Sequence, residues 1–341
     1  MTGRVAVLTA AQHFELQQSE PPAPANGQVL VRVQECGICG SDLKMWAGTH
    51  AFMRPPIVMG HEVIGVVAAT GNGSGPAPGT AVTLFPPVGC GRCFHCRADR
   101  EQLCEAMEFF GGQRLGGLAD YVLAPATHVF EVPERIPPHL RVLIEPLSVA
   151  VHGVERGAPQ PGEQCAVIGA GAIGLFTALV LRARGFEDVV VAEPLAARRA
   201  VAEQAGLRVF DPTGMDAVAQ IGARTRPEGA DVVFECVGSE ATIATALAAT
   251  RKGGRAVVVG NAPAALTVDG LALQRGDRTL VGVLMYDRSD FHTAMALLAD
   301  GVLDGLDDTA LVARYQLESV GDAFAAAKAG RLDALKAVIA L

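Results

Sequence analysis

The chain has 341 residues, half of them hydrophobic, which is enough for two domains with substantial cores. Its 39 glycines and 20 prolines are dispersed, which excludes a disordered chain and points to many tight turns. With 36 acidic residues against 28 basic ones, a net charge of −8 and no basic tract, nucleic acid is excluded as an expected partner.

The first stretch, MTGRVAVLTAAQHFELQQ, breaks its apolar run at Gln12, His13 and Glu15 and lacks a signal peptide's pattern. Later apolar stretches are interrupted by glycines and charges, so no membrane span and a cytoplasmic location are expected. Residues 29–42, VLVRVQECGICGSD, start as a strand and end in a glycine-rich bend. Residues 63–71 and 81–86 read as further strands, separated by the turn-rich GNGSGPAPG. The pattern to about residue 140 is β-rich, with long loops and no sustained helical period.

Four of the eight cysteines fall within residues 87–104, PVGCGRCFHCRADREQLC. Two-residue gaps separate Cys90, Cys93 and Cys96, and Cys104 follows after seven more, a set suited to a closed tetrahedral zinc site. An iron–sulfur cluster shares the C-x2-C-x2-C start, but the C-x3-C-P continuation is missing. Disulfide frameworks belong to small secreted chains with little core. Cys36, Cys165 and Cys236 lie in apolar surroundings and read as buried small side chains, whereas Cys39 sits in a polar turn.

Beyond about residue 162 the pattern alternates between strand and helix. Apolar strands are expected at residues 165–168, 189–193, 231–238, 255–261 and 279–285, with helical runs between them. That alternation predicts a parallel sheet covered on both faces. GAGAIG, from Gly169 to Gly174, follows the first of these strands and opens a helix, the context in which GxGxxG binds a dinucleotide. Gly169 serves the tight turn, Gly171 the approach of the pyrophosphate, and Gly174 the close packing of helix on sheet. Glu193 ends the second strand, where a carboxylate takes the adenosine ribose hydroxyls and repels a 2′-phosphate, so NAD is favoured over NADP. Arg198 and Arg199, one turn into the next helix, keep NADP open. Ile173, Val259, Gly260 and Leu284 complete the expected cofactor-binding set. The remainder, from about residue 289, reads as mostly helical with a last strand-like LKAVIAL.

Three further pieces, CGSD (residues 39–42), GHE (60–62) and EPLSVAVH (145–152), supply sulfur, imidazole and carboxylate, a mixed shell suited to catalytic zinc. Together with GGLADYV, VLIEPLSVAVHGV, the cysteine lobe and the glycine turn, they make the chain resemble the zinc-dependent medium-chain alcohol/polyol dehydrogenases, in the branch of sorbitol and threonine dehydrogenases. The resemblance covers essentially the whole chain. It implies an α/β protein with a GroES-like β-rich catalytic domain over residues 1–148, its structural zinc lobe at 87–105, and a Rossmann doubly wound parallel-sheet domain over 149–288. A segment over 289–341 would return in part to the catalytic domain.

By that resemblance Cys39, His61 and Glu145 hold the catalytic zinc, with Glu62 as the alternate or supporting carboxylate. Ser41 is the proton-relay hydroxyl, and Asp42 braces the loop that holds Cys39. Family members often carry a histidine where this chain has Lys44, so the outer relay falls to Lys44 or His50, or Lys44 instead orients the substrate or a cofactor phosphate. Trp46, His50, Phe52, Phe109 and Leu118 are placed by the same resemblance on loops near the substrate. The implied reaction is reversible oxidation of a secondary alcohol (a polyol, cyclitol or amino alcohol) to the ketone, with hydride transfer to NAD. Two zincs, a small-molecule alcohol substrate and a dimer or tetramer of identical chains complete the expectation. The competing readings are an L-threonine 3-dehydrogenase-like enzyme and a non-enzymatic dinucleotide-binding relative.

Overall fold

The computed structural model describes residues 2–50 and 52–341. The chain forms two units: one made of residues through Glu145 with Asp287–Phe291 and Asp308–Leu341, the other of Pro146–Tyr286 and His292–Asp307. The division at Glu145 falls three residues before the end of the first domain expected from sequence, and the C-terminal segment is shared between the units.

The first unit opens with an antiparallel pair, β1 (Gly3–Ala10) and β2 (His13–Ser19). β3 (Gln28–Gly37) follows, with Val31 and Val33 buried and Arg32 between them exposed. Next come helix α1 (Gly40–Trp46), β4 (Glu62–Thr70) and β5 (Ala81–Leu84). The short strands β6 (Pro87–Val88) and β7 (Glu108–Phe109) pair with each other and close the base of the cysteine lobe. β8 (Tyr121–Pro125) pairs with β3, and β9 (Val129–Glu131) with β5. Helix α1 departs from the bend expected over these residues. Asp42 accepts from the backbone N–H of Cys39 at 2.9 Å, capping a turn that Met45 and Trp46 then bury. Trp46, expected on a loop near the substrate, ends this helix and lies in the core, its ring 6.1 Å from that of Phe324.

Helix α2 (Ile144–Gly157) leads into the second unit. There β10 (Cys165–Ile168), α3 (Ala172–Ala183), β11 (Val190–Ala192), α4 (Ala196–Gln204) and β12 (Arg208–Phe210) alternate, followed by α5 (Ala217–Arg224), β13 (Ala230–Glu235), α6 (Glu240–Ala249), β14 (Thr250–Val258), α7 (Gly270–Arg275) and β15 (Thr279–Gly282). The six strands form an all-parallel sheet in the order β12-β11-β10-β13-β14-β15, which reverses direction between β10 and β13. Every residue of β10 and β13 is buried, as a strand covered on both faces requires. This is the doubly wound order whose switch point receives a dinucleotide. α6 ends at Ala249, and β14 starts at Thr250, five residues before the strand expected from residue 255. The reason is an irregularity: Ala230 pairs with Thr250, the register then jumps to Val232 with Arg255, and Gly253 takes a φ of +72° between them.

After α8 (Arg288–Ala299) and α9 (Asp308–Leu311), the chain adds β16 (Val312–Gln316), α10 (Val320–Lys328) and β17 (Lys336–Ala340). β17 inserts between β16 and β3, giving the first unit's sheet the order β16-β17-β3-β4-β5-β9. The last strand of the chain thus borders the strand that leads to Cys39. Among the described residues, no helix is long and apolar enough to cross a membrane.

One polar cluster ties the cysteine lobe to its own unit. Glu101 accepts from the Gly89 N–H at 3.0 Å and from Arg288 Nε at 2.8 Å, and it meets His128 Nε2 at 3.1 Å. Arg288 also lies 4.8 Å from the ring centre of Phe85. Burial opposes the charge on Glu101, but His128, the Gly89 N–H and Arg288 prevail and hold its carboxyl down to about 2. Because that value lies below the unfolded one of about 4.3, the stabilisation is complete above pH ~4.3 and is lost as pH falls toward 2. Glu101→Gln is therefore expected to be less stable than the parent at pH 7, with the gap closing as denaturation is followed down from pH ~5. A gap that stays constant across that range would show that the charge contributes nothing.

Candidate functional site

The turn from β3 into α1 and the start of β4 bring three sequence-predicted ligands together. Donor atoms of Cys39, His61 and Glu62 lie within 4.8 Å of one another, a spacing that one zinc ion closes with shifts of about 1 Å. His61 and Glu62 are buried, at 3% and 1% exposure, and therefore need partners. Asp42 Oδ1 faces His61 Nδ1 at 3.6 Å, and neither atom has a hydrogen bond. A modest closure would give the imidazole the carboxylate support that ligating histidines use. Burial disfavours protonation of His61, yet Asp42 and Cys39 outweigh it and hold the imidazole well above its ordinary range. The structure thus gives Asp42 two tasks, bracing Cys39 and backing His61, where sequence pointed to the first alone.

Glu62 is held from a direction that the motifs do not reveal. Lys336 Nζ donates to Glu62 Oε1 at 2.6 Å and to the Ile38 carbonyl at 3.2 Å. Burial would lower the pKa of this lysine, but Glu62, Cys39 and Glu145 together raise it. Glu62 Oε2 has no hydrogen-bond partner and lies 1.8 Å from where a Cβ on Gly37 would stand, so any other residue at position 37 would collide with it. Glu145 is buried in the first turn of α2. The only sequence signal for Lys336 was a lone cation at the start of an otherwise apolar strand.

Around this centre the other candidates divide. Ser41 lies in the first turn of α1, and the Phe109 ring is 4.9 Å from that of His61. Leu118 is buried, whereas Phe52 is 86% exposed. His50 Nδ1 accepts from the backbone N–H groups of Phe52 and Met53, at 3.3 and 3.1 Å, so the neutral ring carries its proton on Nε2. Burial, then Lys44 and Arg54, lower its pKa. A ring whose basic nitrogen is occupied by the backbone is poorly arranged for relaying protons.

The four lobe cysteines are free thiols brought to one point. Cys93 and Cys96 sulfurs are 3.5 Å apart and those of Cys90 and Cys96 4.0 Å. Tetrahedral zinc with ~2.3 Å bonds spaces its sulfurs by about 3.8 Å, close to these two separations. Backbone N–H groups of Cys90 and Cys96 point at the sulfurs of Cys104 and Cys93, both at 3.4 Å. The Arg92 and Cys93 N–H groups pull the Cys90 thiol down to about 6.

In the second unit the three glycines of the turn have separable reasons. Gly169 has a φ of +94°, and a Cβ on Gly174 would stand 1.9 Å from the Gly169 carbonyl oxygen. A Cβ on Gly171 would meet only the Arg198 guanidinium, at 3.6 Å. The fold alone does not require that glycine; a ligand approaching the turn does. Glu193 is buried, its carboxylate accepting from Ala170 N–H at 2.7 Å and Leu195 N–H at 2.8 Å, so it also fastens the turn. Arg199 donates to the carbonyls of Glu193 and Pro194 and pairs with Asp211 at 3.1 Å, leaving Arg198 as the arginine facing the turn. Val259 and Gly260 both donate their N–H to the Glu235 carbonyl, and the Glu235 carboxylate accepts from Val237 and Gly238, each at 2.8 Å. This buried organiser of two loops was not anticipated from sequence. Leu284 lies beyond the end of β15 and is half exposed.

Residues 25–134 match the alcohol dehydrogenase GroES-like domain and residues 172–300 the zinc-binding dehydrogenase domain. L-galactonate-5-dehydrogenase of Escherichia coli K12 is 30% identical over 336 residues, 98% of each chain. L-threonine 3-dehydrogenase of Pyrococcus furiosus is 34% identical over 274 residues, 78% of each chain. A putative zinc-binding dehydrogenase of Sinorhizobium meliloti bound to NADP superposes with a TM-score of 0.89 at 29% identity, over 100% of both chains. By these matches, which span most of its length, the chain belongs to the zinc-dependent medium-chain dehydrogenases, which oxidise alcohols with a nicotinamide dinucleotide.

Proposed function

We propose that this enzyme oxidises a secondary hydroxyl of a polyol or sugar acid to the ketone, with NAD as the hydride acceptor. The convergence of Cys39, His61 and Glu62 beside Ser41 carries this reading. Cys39, His61 and Glu145 hold the catalytic zinc, with Glu62 alongside as the exchangeable carboxylate. When bound, the zinc supplies a Lewis acid for the substrate oxygen, and the dinucleotide accepts the hydride. The chain's own residues do the rest. Asp42 keeps His61 oriented, Ser41 takes the hydroxyl proton and passes it outward, and Phe109 helps exclude water at the imidazole. Lys44 and Arg54 flank His50 just beyond the Ser41 turn, and their positive charge favours a hydroxy acid over a neutral polyol. The cysteine lobe holds the second zinc for structure alone.

NAD is favoured because Glu193 places a negative charge at the end of β11, while Arg199 is committed to Asp211 and to carbonyls. Arg198 then serves the pyrophosphate side of the turn. A dimer or tetramer of identical chains belongs to the same reading, since β15 leaves one edge of the parallel sheet open. Cysteines committed to metal rather than to disulfides agree with a cytoplasmic setting. The second reading is L-threonine oxidation, favoured by the 34% identity to threonine dehydrogenases. A panel of sugar acids, neutral polyols and L-threonine, run in both directions, separates the two; turnover of none of them would refute the proposed substrate class.

Lys44→Ala is expected to raise KM for a carboxylate-bearing substrate by roughly 10- to 100-fold, the worth of one charge-assisted hydrogen bond, and to leave neutral polyols nearly unchanged. If it instead lowers kcat and shifts its pH profile, with Lys44→His restoring both, Lys44 is the outer relay. For the cofactor, kcat/KM with NAD should exceed that with NADP by at least about 10-fold. Arg198→Ala should raise KM for the dinucleotide, whereas Arg199→Ala should chiefly lower stability; an NADP preference would overturn the role given to Glu193. Cys93→Ser should retain one zinc of two and lose thermal stability before activity. A Cys93→Ser chain with both metals and parental stability would contradict the structural zinc.

A further inference from the structure

Lys336 stands where no motif directs attention, at the start of the last strand, with 6% exposure. Its ammonium is shared between Glu62 Oε1 and the Ile38 carbonyl, which leads directly to Cys39. The sheet register explains how it gets there: Val338 of β17 pairs with Gly37, Gly37 pairs with Glu62, and Ile38 N–H donates to the Ala337 carbonyl at 2.9 Å. Glu62 is thus held on two sides. Lys336 has Oε1, and Oε2 lies in the space that the missing side chain of Gly37 leaves open. A carboxylate that close to Cys39 and His61 is a strong competitor for a metal ion unless something else satisfies its charge.

We propose that Lys336 is a positioning residue of the catalytic metal centre: by holding Glu62 Oε1 it restrains Glu62 from becoming a permanent ligand and keeps a coordination position open for substrate. This rests on the reading of Cys39, His61 and Glu145 as the ligand set, and concerns what controls the neighbouring carboxylate. Removing the ammonium while keeping the side-chain volume frees Glu62 to bind the metal. An open site is what distinguishes a catalytic zinc from a structural one, so the lysine guards turnover without touching substrate.

Cobalt(II) reconstitution tests this, with spectra taken as differences against Cys39→Ser to isolate the catalytic site from the lobe. Lys336→Met should weaken the visible d–d bands, as a ligand is added, and slow metal release to a chelator by about 10-fold or more. Lys336→Met combined with Glu62→Gln should return both readouts to parental values, which a purely structural lysine would not produce. Glu62→Gln alone should leave the parental spectrum unchanged, and it keeps the test open if Lys336→Met does not fold. A changed spectrum in Glu62→Gln, or an unchanged spectrum and release rate in folded Lys336→Met, would overturn the proposal. Absence of any Cys39-dependent cobalt spectrum would instead refute the underlying ligand set.

Discussion

A carboxylate buried to 1% exposure must find a counter-charge within the protein, and at Glu62 that charge comes from the far end of the chain. Much of the first unit's architecture can be understood from this pairing. Lys336 reaches Glu62 because β17 enters the sheet beside β3, and β17 is in register because Val338 lies opposite Gly37. Removing one partner of a buried pair of this kind typically costs about 3–5 kcal/mol, a large share of a domain's net stability. The strand that borders β3 therefore also supplies the counter-charge for the buried Glu62 beside Cys39 and His61.

The same economy of paired charge recurs at a distance from the catalytic set. Asp42 braces Cys39 through its N–H and faces His61 with its other oxygen. Glu101 seats the cysteine lobe through Gly89, His128 and Arg288. In the second unit Glu193 and Glu235 use both backbone and carboxylate to fix the loops around the glycine turn. In each case an acidic side chain satisfies N–H groups that an irregular loop would otherwise leave unpaired, and so makes a loop rigid enough to present ligands. Loops shaped in this way, rather than the strands themselves, carry the chemistry.

How much of this was legible in the sequence depended on whether a feature was local. The cysteine spacing, GxGxxG after an apolar strand, and the alternating βα pattern all act within a few residues or one supersecondary unit, and each is found where it was expected. The family resemblance named Cys39, His61 and Glu145 as one ligand set with Glu62 as the alternate carboxylate; the group whose donor atoms converge is Cys39, His61 and Glu62. Helix α1 was missed because seven residues show too little periodicity, and the cap from Asp42 to Cys39 is visible only as one acidic residue after a cysteine. Trp46, put by the resemblance on a loop near the substrate, lies in the core instead, since one aromatic on a short segment has no periodic partner to place it. The early start of β14 depended on an irregular register opposite Ala230, a tertiary pairing. Lys336 could not be found locally at all: its partner is 274 residues away.

The central claim is that the Cys39 set is a catalytic zinc centre serving a dinucleotide-dependent dehydrogenase, separate from the zinc of the cysteine lobe. Its most direct test is zinc content, dinucleotide affinity and alcohol oxidation measured on one preparation each of the parent and Cys39→Ser. The expected result is two zincs per parent chain and one in Cys39→Ser, with alcohol oxidation abolished and dinucleotide binding retained. A Cys39→Ser chain that keeps both zincs and oxidises alcohol at the parental rate would contradict it.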